Sequence, residues 1–263
     1  MNLRFELGRK LILINSTLLR YYRENMLKQH RDYFISDSID APLWRYMNEL
    51  YKFESIFEEQ ALYFCRADLF PDPLEGTNTE PTIKIRPTVY EEATDNWLYV
   101  TLPMFESRTR KCVYVSCWHN NWTESKDMWN KYSAKIALKT TLNRVKYSIL
   151  DKEREFLISC VNYIDYKKDF IHSLNAFAPF FYKDESYNYE KEVRLAVYQN
   201  YSHIGDHNFD ELSFDKGLFI PIDVTRLIEQ VVVNSSVNKE EFRYINYLMK
   251  MYNIQKRLSI SKY

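Results

Sequence analysis

Three charged residues alternate in the segment Tyr189–Tyr198: Glu190, Glu192 and Arg194. In an extended strand, residues two apart project from the same face, about 6.6 Å apart along the chain. The segment reads as the clearest strand of the chain. Glu190, Glu192, Arg194 and Ala196 then share one face, and Val193, Leu195 and Val197 the other. The apolar face belongs to a core. The charged face is either a solvated row on an edge strand, an ion-pair ladder closed by Arg194, or a carboxylate row lining a cleft.

Fixed carboxylates stabilise a cation developing at a reacting carbon, and they orient or deprotonate an acceptor. Joined by Asp72 and Glu75, the same acids form a cluster of the kind that holds Mg²⁺ in nucleases and phosphoryl-transfer enzymes. Asp72 and Glu75 lie in the run LFPDPLEG, where Pro71 and Pro73 exclude a regular ladder or helix interior. An Asp in such a loop more often closes a turn or caps a helix. No Glu-x-Lys follows at the spacing of the restriction-type nuclease strand, which counts against the metal reading. Other reactive residue types read as structural. His203 and His207 are four apart but sit in a loop without the Glu of the zinc-protease motif. Cys117 and His119 flank Trp118, too few ligands for a metal site, and no metal is expected. Nothing ties a base to any of the four thiols. Trp129 and Tyr132, three apart on a helix, share a face and read first as core packing.

The elements that must position these residues follow from the apolar pattern. The 263 residues fit a single mixed domain with a helical extension. Residues 1–36 read as helix, with Leu11, Ile14, Leu18, Tyr22 and Met26 recurring at helical spacing. The domain division is 1–40 for this extension and 41–263 for the mixed domain. Strands are expected at Leu43–Met47, Ala61–Cys65, Lys111–Trp118, Cys160–Tyr166, Tyr189–Tyr198, Gly217–Ile222 and Glu229–Val233. Helices are expected over Phe53–Gln60, from Thr123 as N-cap through Tyr132, over 141–159, over Phe170–Phe181 and from Lys239 to Tyr252. Residues 77–110 read as a polar surface excursion with some helix. The class is α/β or α+β, a central mostly antiparallel sheet flanked by helices.

Composition excludes several functions. With only 4 glycines, and neither a GxGxxG nor a Walker loop, dinucleotide-fold and P-loop readings have no support. Lys plus Arg equals Asp plus Glu at 36 each, which removes the field of a nonspecific nucleic-acid binder, though not a local patch. No run approaches a membrane span or a cleavable leader. Four cysteines without paired spacing read as reduced, buried thiols of a cytoplasmic protein.

A series of motifs resembles the bacterial domain-of-unknown-function family 2971. They are Trp44-Arg45-Tyr46, Ala61-Leu62-Tyr63-Phe64, Phe70-Pro71-Asp72-Pro73-Leu74-Glu75, Val115-Ser116-Cys117-Trp118, Met128-Trp129-Asn130-Lys131-Tyr132, Tyr189-Glu190-Lys191-Glu192-Val193-Arg194 and Glu229-Gln230-Val231-Val232-Val233. They run in order over about residues 43–250. The chain departs from the pattern at Pro71, where the family commonly has Asn. It also departs at Ser133-Ala134, in place of a Gly-bearing turn, and at Asn234-Ser235, in place of Gly-Pro. A more distant likeness is to ADP-ribosyltransferases, which transfer ADP-ribose from NAD with a Glu-x-Glu strand, an Arg or His on an early strand and a Ser on a second. That likeness implies Glu192, Glu190 and Arg45 as catalytic residues. It implies Ser116, Tyr46, Tyr63, Asp72, Glu75, Trp129, Tyr132 and Arg194 as substrate- or cofactor-binding residues, with NAD as substrate. It further implies a toxin or phage-defence effector acting on a protein or nucleic-acid target. Ser116 lacks the Ser-Thr-Ser setting of those enzymes. The alternatives are a metal-dependent nuclease, and a noncatalytic module that recruits a partner or a second copy through its N-terminal helix.

Overall fold

The computed structural model describes residues 42–89, 97–171 and 175–263. The expected N-terminal helix and the 1–40 extension lie outside them. The described chain is a mixed α/β domain built on a nine-stranded, mostly antiparallel sheet with helices against it.

Strand β1 (Pro42–Met47) leads through helix α1 (Leu50–Glu58) to β2 (Ala61–Arg66). Helices α2 (Glu80–Val89) and α3 (Trp97–Cys112) fill most of the expected surface excursion. Then follow β3 (Val113–Asn120), α4 (Lys126–Lys131), β4 (Ile136–Thr141), α5 (Leu142–Ser148), β5 (Phe156–Cys160) and β6 (Asn162–Ile164). The chain continues with β7 (Tyr182–Asp184), β8 (Glu192–Tyr198), β9 (Gly217–Pro221), α6 (Val224–Leu227), β10 (Gln230–Val233), α7 (Lys239–Met251) and β11 (Leu258–Ile260). Strand β6 pairs with β7 in a separate parallel ribbon.

β3 is the axis of the sheet. One of its edges carries β8, which in turn carries β5. The other edge is shared. Leu43 and Trp44 of β1 pair with Asn120 and His119, whereas Cys65 and Arg66 of β2 pair with Val115 and Tyr114. Over residues 116–118 neither strand is in register with β3, so β1 and β2 part there. From this split one arm runs β1-β4-β10-β11 and the other β2-β9.

One face of the sheet is a continuous core. Leu43, Tyr114, Trp118, Leu195, Val197, Leu138 and Val231 pack there against Phe53 and Phe57 of α1, Leu142 and Val145 of α5, and Ile245 and Met249 of α7. The opposite face carries two separate apolar patches. Val113, Val115, Leu157 and Ala196 meet Phe180, Phe181 and Phe209 at one end. Trp44, Ala137 and Val232 meet Trp129 at the other. Between the patches lie the side chains that alternate with the core set on β3 and β8: Cys117, His119, Glu192 and Arg194.

Several expectations change. Residues 141–159 are not one helix: α5 stops at Ser148 and Phe156–Cys160 is a strand beside β8. Apolar residues at 156–158, buried on both faces, imitate a helical run. Helix α4 is capped by Ser125, whose Oγ accepts the Met128 N–H at 3.3 Å, rather than by Thr123. Ala178–Phe181 is a single 3₁₀ turn with Pro179 at its start, not the end of a helix from Phe170. Residues 172–174 of that expected helix lie outside the described residues. Strand β4, which joins β1 to β10, was not expected at all.

Candidate functional site

The expected strand Tyr189–Tyr198 begins only at Glu192. Glu190 closes a 3₁₀ turn, Glu185–Glu190, whose start is held by Asp184 accepting the Ser186 N–H at 3.1 Å. Lys191 follows with φ +40, in the left-handed region that a non-glycine residue seldom adopts. Glu190 and Glu192 therefore do not share a strand face as the alternation implied. They converge instead through Lys183, whose Nζ lies 2.5 Å from Glu190 Oε2 and 3.6 Å from Glu192 Oε2. Nor is β8 an edge strand. It runs between β3 and β5, and its charged residues are buried.

Arg194 is the hub, with 1% of its side chain exposed. Its Nε donates to Glu192 Oε1 at 2.8 Å and its Nη2 to Glu192 Oε2 at 3.1 Å. The same guanidinium donates to both oxygens of Glu75, from Nη2 at 2.9 Å and from Nη1, and Nη1 also donates to the Phe180 carbonyl at 2.6 Å. A planar fork with five donors suits this double carboxylate clamp. The ion-pair reading of the row thus holds for Glu192 and Arg194, with a second acid from a distant loop.

The Pro-Asp-Pro loop delivers that second acid. Asp72 closes a turn, its Oδ1 accepting the Leu74 N–H at 2.9 Å. Two residues after Leu74, Gly76 stands at φ +68, and a Cβ there would meet the Phe180 ring at 2.4 Å. Only glycine satisfies both conditions, and the turn it permits seats Glu75 over Arg194. Asp72 itself stays out of the network.

Around this hub stand phenols, a thiol and an imidazole. Tyr132 Oη donates to Glu190 Oε1 at 2.8 Å, and Tyr163 Oη accepts the Glu192 N–H at 2.8 Å. Cys117 pairs directly with Arg194 across β3 and β8, and its thiol adjoins the Glu192 carboxylate. His119 Nδ1 lies 2.5 Å from the Glu190 carbonyl oxygen. That oxygen only accepts, so the ring proton sits on Nδ1 and Nε2 presents a lone pair; Nε2 has no partner among the described residues. Tyr46 lies with its ring edge against both His119 and Trp129, and its hydroxyl accepts the Ser125 N–H at 2.9 Å.

Electrostatics follow from burial and partners. Burial pushes the Glu192 carboxyl upward, but Arg194 and Lys183 outweigh it and bring it down to about 2. Glu75 moves the other way: burial raises it and Arg194 recovers only part of the shift. Burial lowers the His119 imidazole, against the pull of the Glu190 carbonyl, so the ring is neutral at pH 7. Burial raises the Cys117 thiol well above its ordinary value, with Glu192 adding to the shift, so it is a neutral donor and not a thiolate nucleophile. Tyr132 rises through burial and the adjacent Glu190.

Of the residues singled out in the sequence, the structure gathers Glu75, Glu190, Glu192, Arg194 and Tyr132. Arg45 and Ser116 bond to each other at 3.1 Å, on the core side of the sheet. Arg45 also donates to the Tyr63 carbonyl at 3.1 Å and lies 5.7 Å from the Trp118 ring, bridging the split between β1 and β2. The expected Arg–Ser–Glu set is therefore divided by the sheet, because Ser116 is paired with Leu195 and not with Glu192. The strands that bear the three residues are nonetheless neighbours, in the order β1-β3-β8. The Tyr63 ring meets Phe219 of β9 edge-on, and Trp129 is buried behind Tyr46, its Nε1 donating to Glu124. Cys117 and His119, read in the sequence as too few ligands for a metal site, belong to the site, as do Tyr163 and Lys183, which no sequence motif singles out. Strand parity places Cys117 and His119 on one face, but only the register against β8 shows that face to be Glu192's. Among the described residues, no group of three or more His, Cys, Asp or Glu is placed to hold a metal ion. Among them, too, no helix is long and apolar enough to cross a membrane. None of the four cysteines is in a disulfide, and only Cys112 is fully buried.

Comparison with family models, with curated proteins and with solved structures finds no match to this chain.

Proposed function

We propose that this chain is an NAD-using enzyme of the ADP-ribosyltransferase kind, and that the ordered motifs make it a relative of family 2971. The carrying observation is Glu192: a carboxylate held ionised on an interior strand by Arg194 and Lys183, with its backbone N–H on the Tyr163 hydroxyl and with Glu190, which accepts the Tyr132 hydroxyl, held by the same Lys183. Loss of nicotinamide from NAD leaves an oxocarbenium-like ribose. A preorganised anion that needs no reorganisation stabilises that charge best. Arg194 occupies one lone-pair direction on each Glu192 oxygen, and Lys183 and Cys117 adjoin the same carboxylate; of the about four directions a carboxylate offers, a ribose hydroxyl takes one that remains. Glu190, held by Tyr132 and Lys183, takes the role of orienting the acceptor. Tyr46, Tyr132 and Tyr163 supply aromatic faces for the cationic nicotinamide ring. Arg45 and Ser116 hold the split of the sheet and act as positioning residues.

The test is release of nicotinamide from NAD labelled in that ring, with candidate protein and nucleic-acid targets present. Wild type should release it, and Glu192→Gln should lower the rate about 10²-fold or more. No release by wild type, or an unchanged rate in Glu192→Gln, removes the proposal.

A further inference from the structure

The far end of the long arm carries a feature that the NAD reading does not use. A cavity of ≈ 260 Å³ lies between the end of β10, the start of α7 and β11. Val233, Val237, Phe242 and Ile260 give it apolar walls, and Lys239 and Arg243 stand at it as well. Lys239 and Arg243 are four apart on α7, one turn, where like charges repel. Neither makes an ion pair or a side-chain hydrogen bond among the described residues, although Lys135 nearby is paired with Glu241. Both stand at the positive end of a helix of 13 residues, whose first turn also carries Glu240 and Glu241, the latter engaged by Lys135.

β11 is the terminal strand of the sheet. It pairs on one side with β10, and Ser261 N–H donates to the Val233 carbonyl at 2.8 Å. Its other side has no strand partner among the described residues. Ile260, at its end, is 64% exposed. An unpaired strand edge with an exposed β-branched residue is a template for a further strand. The cavity falls below the roughly 300–1,000 Å³ of sites for drug-sized ligands, and its room is that of one or two side chains.

We propose that this edge binds an extended acidic peptide segment of a partner protein. The segment adds beside β11, sets an apolar side chain among Val233, Val237, Phe242 and Ile260, and presents a carboxylate to Lys239 and Arg243. Main-chain pairing gives such a contact affinity and the alternating side chains give it specificity. Charge selects an acidic occupant: residues 1–31 of this chain, with seven Lys or Arg against two Glu, do not complement the two cations, and residues 32–41, with Asp32, Asp37 and Asp40 and no Lys or Arg, are the competing occupant that the crosslink below tests.

The experiment is selection of a displayed random-peptide library on the full-length chain, counter-selected on Lys239→Glu/Arg243→Glu. Circular dichroism would confirm that the exposed substitutions leave the fold intact. The expected result is enrichment of peptides with Asp or Glu between β-branched apolar residues at alternate positions. Their affinity should fall roughly tenfold or more on the double variant and on Ile260→Lys. Absence of enrichment, or enriched peptides that bind the double variant equally well, overturns the proposal. So does a dimer seen by light scattering that the double variant abolishes, since a second copy is then the occupant. A chemical crosslink from residues 1–41 to Lys239 in the wild-type monomer overturns it too.

Discussion

The two faces of strands β3 (8 residues) and β8 (7 residues) are made by alternate residues of the same two segments and differ sharply. On one, Tyr114, Trp118, Val193, Leu195 and Val197 pack into a continuous core in which Arg45 and Ser116 are the polar intrusion. On the other, Cys117, His119, Glu192 and Arg194 interrupt two apolar patches. Apolar packing is non-directional and tolerates conservative exchange. The charged face is directional, and each group there is held by a partner whose removal strands a buried charge. The contrast teaches that burial alone does not make this sheet a scaffold: the buried charges are confined to one stretch, where the strands bearing Arg45, Ser116 and Glu192 lie side by side.

Six substitutions and an acid titration break or sharpen that contrast. The largest effect is expected from Arg194→Met, which leaves Glu75 and Glu192 buried without their cation. Chemical denaturation should show a loss of about 3–5 kcal/mol. A loss under about 1 kcal/mol would mean the network is dispensable to the fold. On the apolar face, Leu195→Ala should cost about 2–5 kcal/mol by transfer and cavity, and Leu195→Met under about 1.5 kcal/mol. Arg194→Lys, equally conservative by class, should stay costly because an ammonium cannot fork to two carboxylates.

Acid titration separates the faces further. Glu192 has its folded value depressed to about 2 from 4.5, so its stabilising contribution is present above pH 4.5 and lost as pH falls toward 2. At about 1.4 kcal/mol for each unit, this is worth about 3 kcal/mol. Glu75 is raised and opposes it in part. His119 is lowered from 6.5, so the unfolded chain takes up the imidazole proton first, and stability begins to fall as pH drops below 6.5. His119→Asn, which keeps a donor for the Glu190 carbonyl, should remove that upper limb while leaving the Glu192 limb. Persistence of the upper limb in the variant would assign it elsewhere. The smallest effect is Tyr132→Phe. The ring is 41% exposed and loses a single hydrogen bond to Glu190, about 1 kcal/mol by thermal or urea unfolding.

Much of the fold was legible because local pattern and tertiary context agree. The apolar alternation of Val193, Leu195 and Val197, the short runs at Leu43–Met47 and Ala61–Cys65, and the capped amphipathic helix near the C-terminus all stand where their pattern puts them. Two kinds of information were not local. Lys191 looks like any surface residue between two glutamates, yet its left-handed backbone ends the alternation, and only the docking of Glu190 on Lys183 and Tyr132 requires it. Likewise Glu75 and Arg194 are 119 positions apart, and no spacing rule links them. Strand parity separates Ser116 from Cys117 in the sequence alone. Which of the two faces Glu192 is fixed by the register of β3 on β8, a long-range choice set by the core.

The most direct measurement is a titration of isotope-labelled protein with NAD, followed by amide and side-chain chemical shifts. The charged face should respond, with shifts concentrated at Tyr46, Cys117, Tyr132, Tyr163 and Glu192, and Glu192→Gln should weaken or abolish them. No response at saturating NAD, or a response confined to Arg45, Ser116 and the core side of the sheet, would contradict the account.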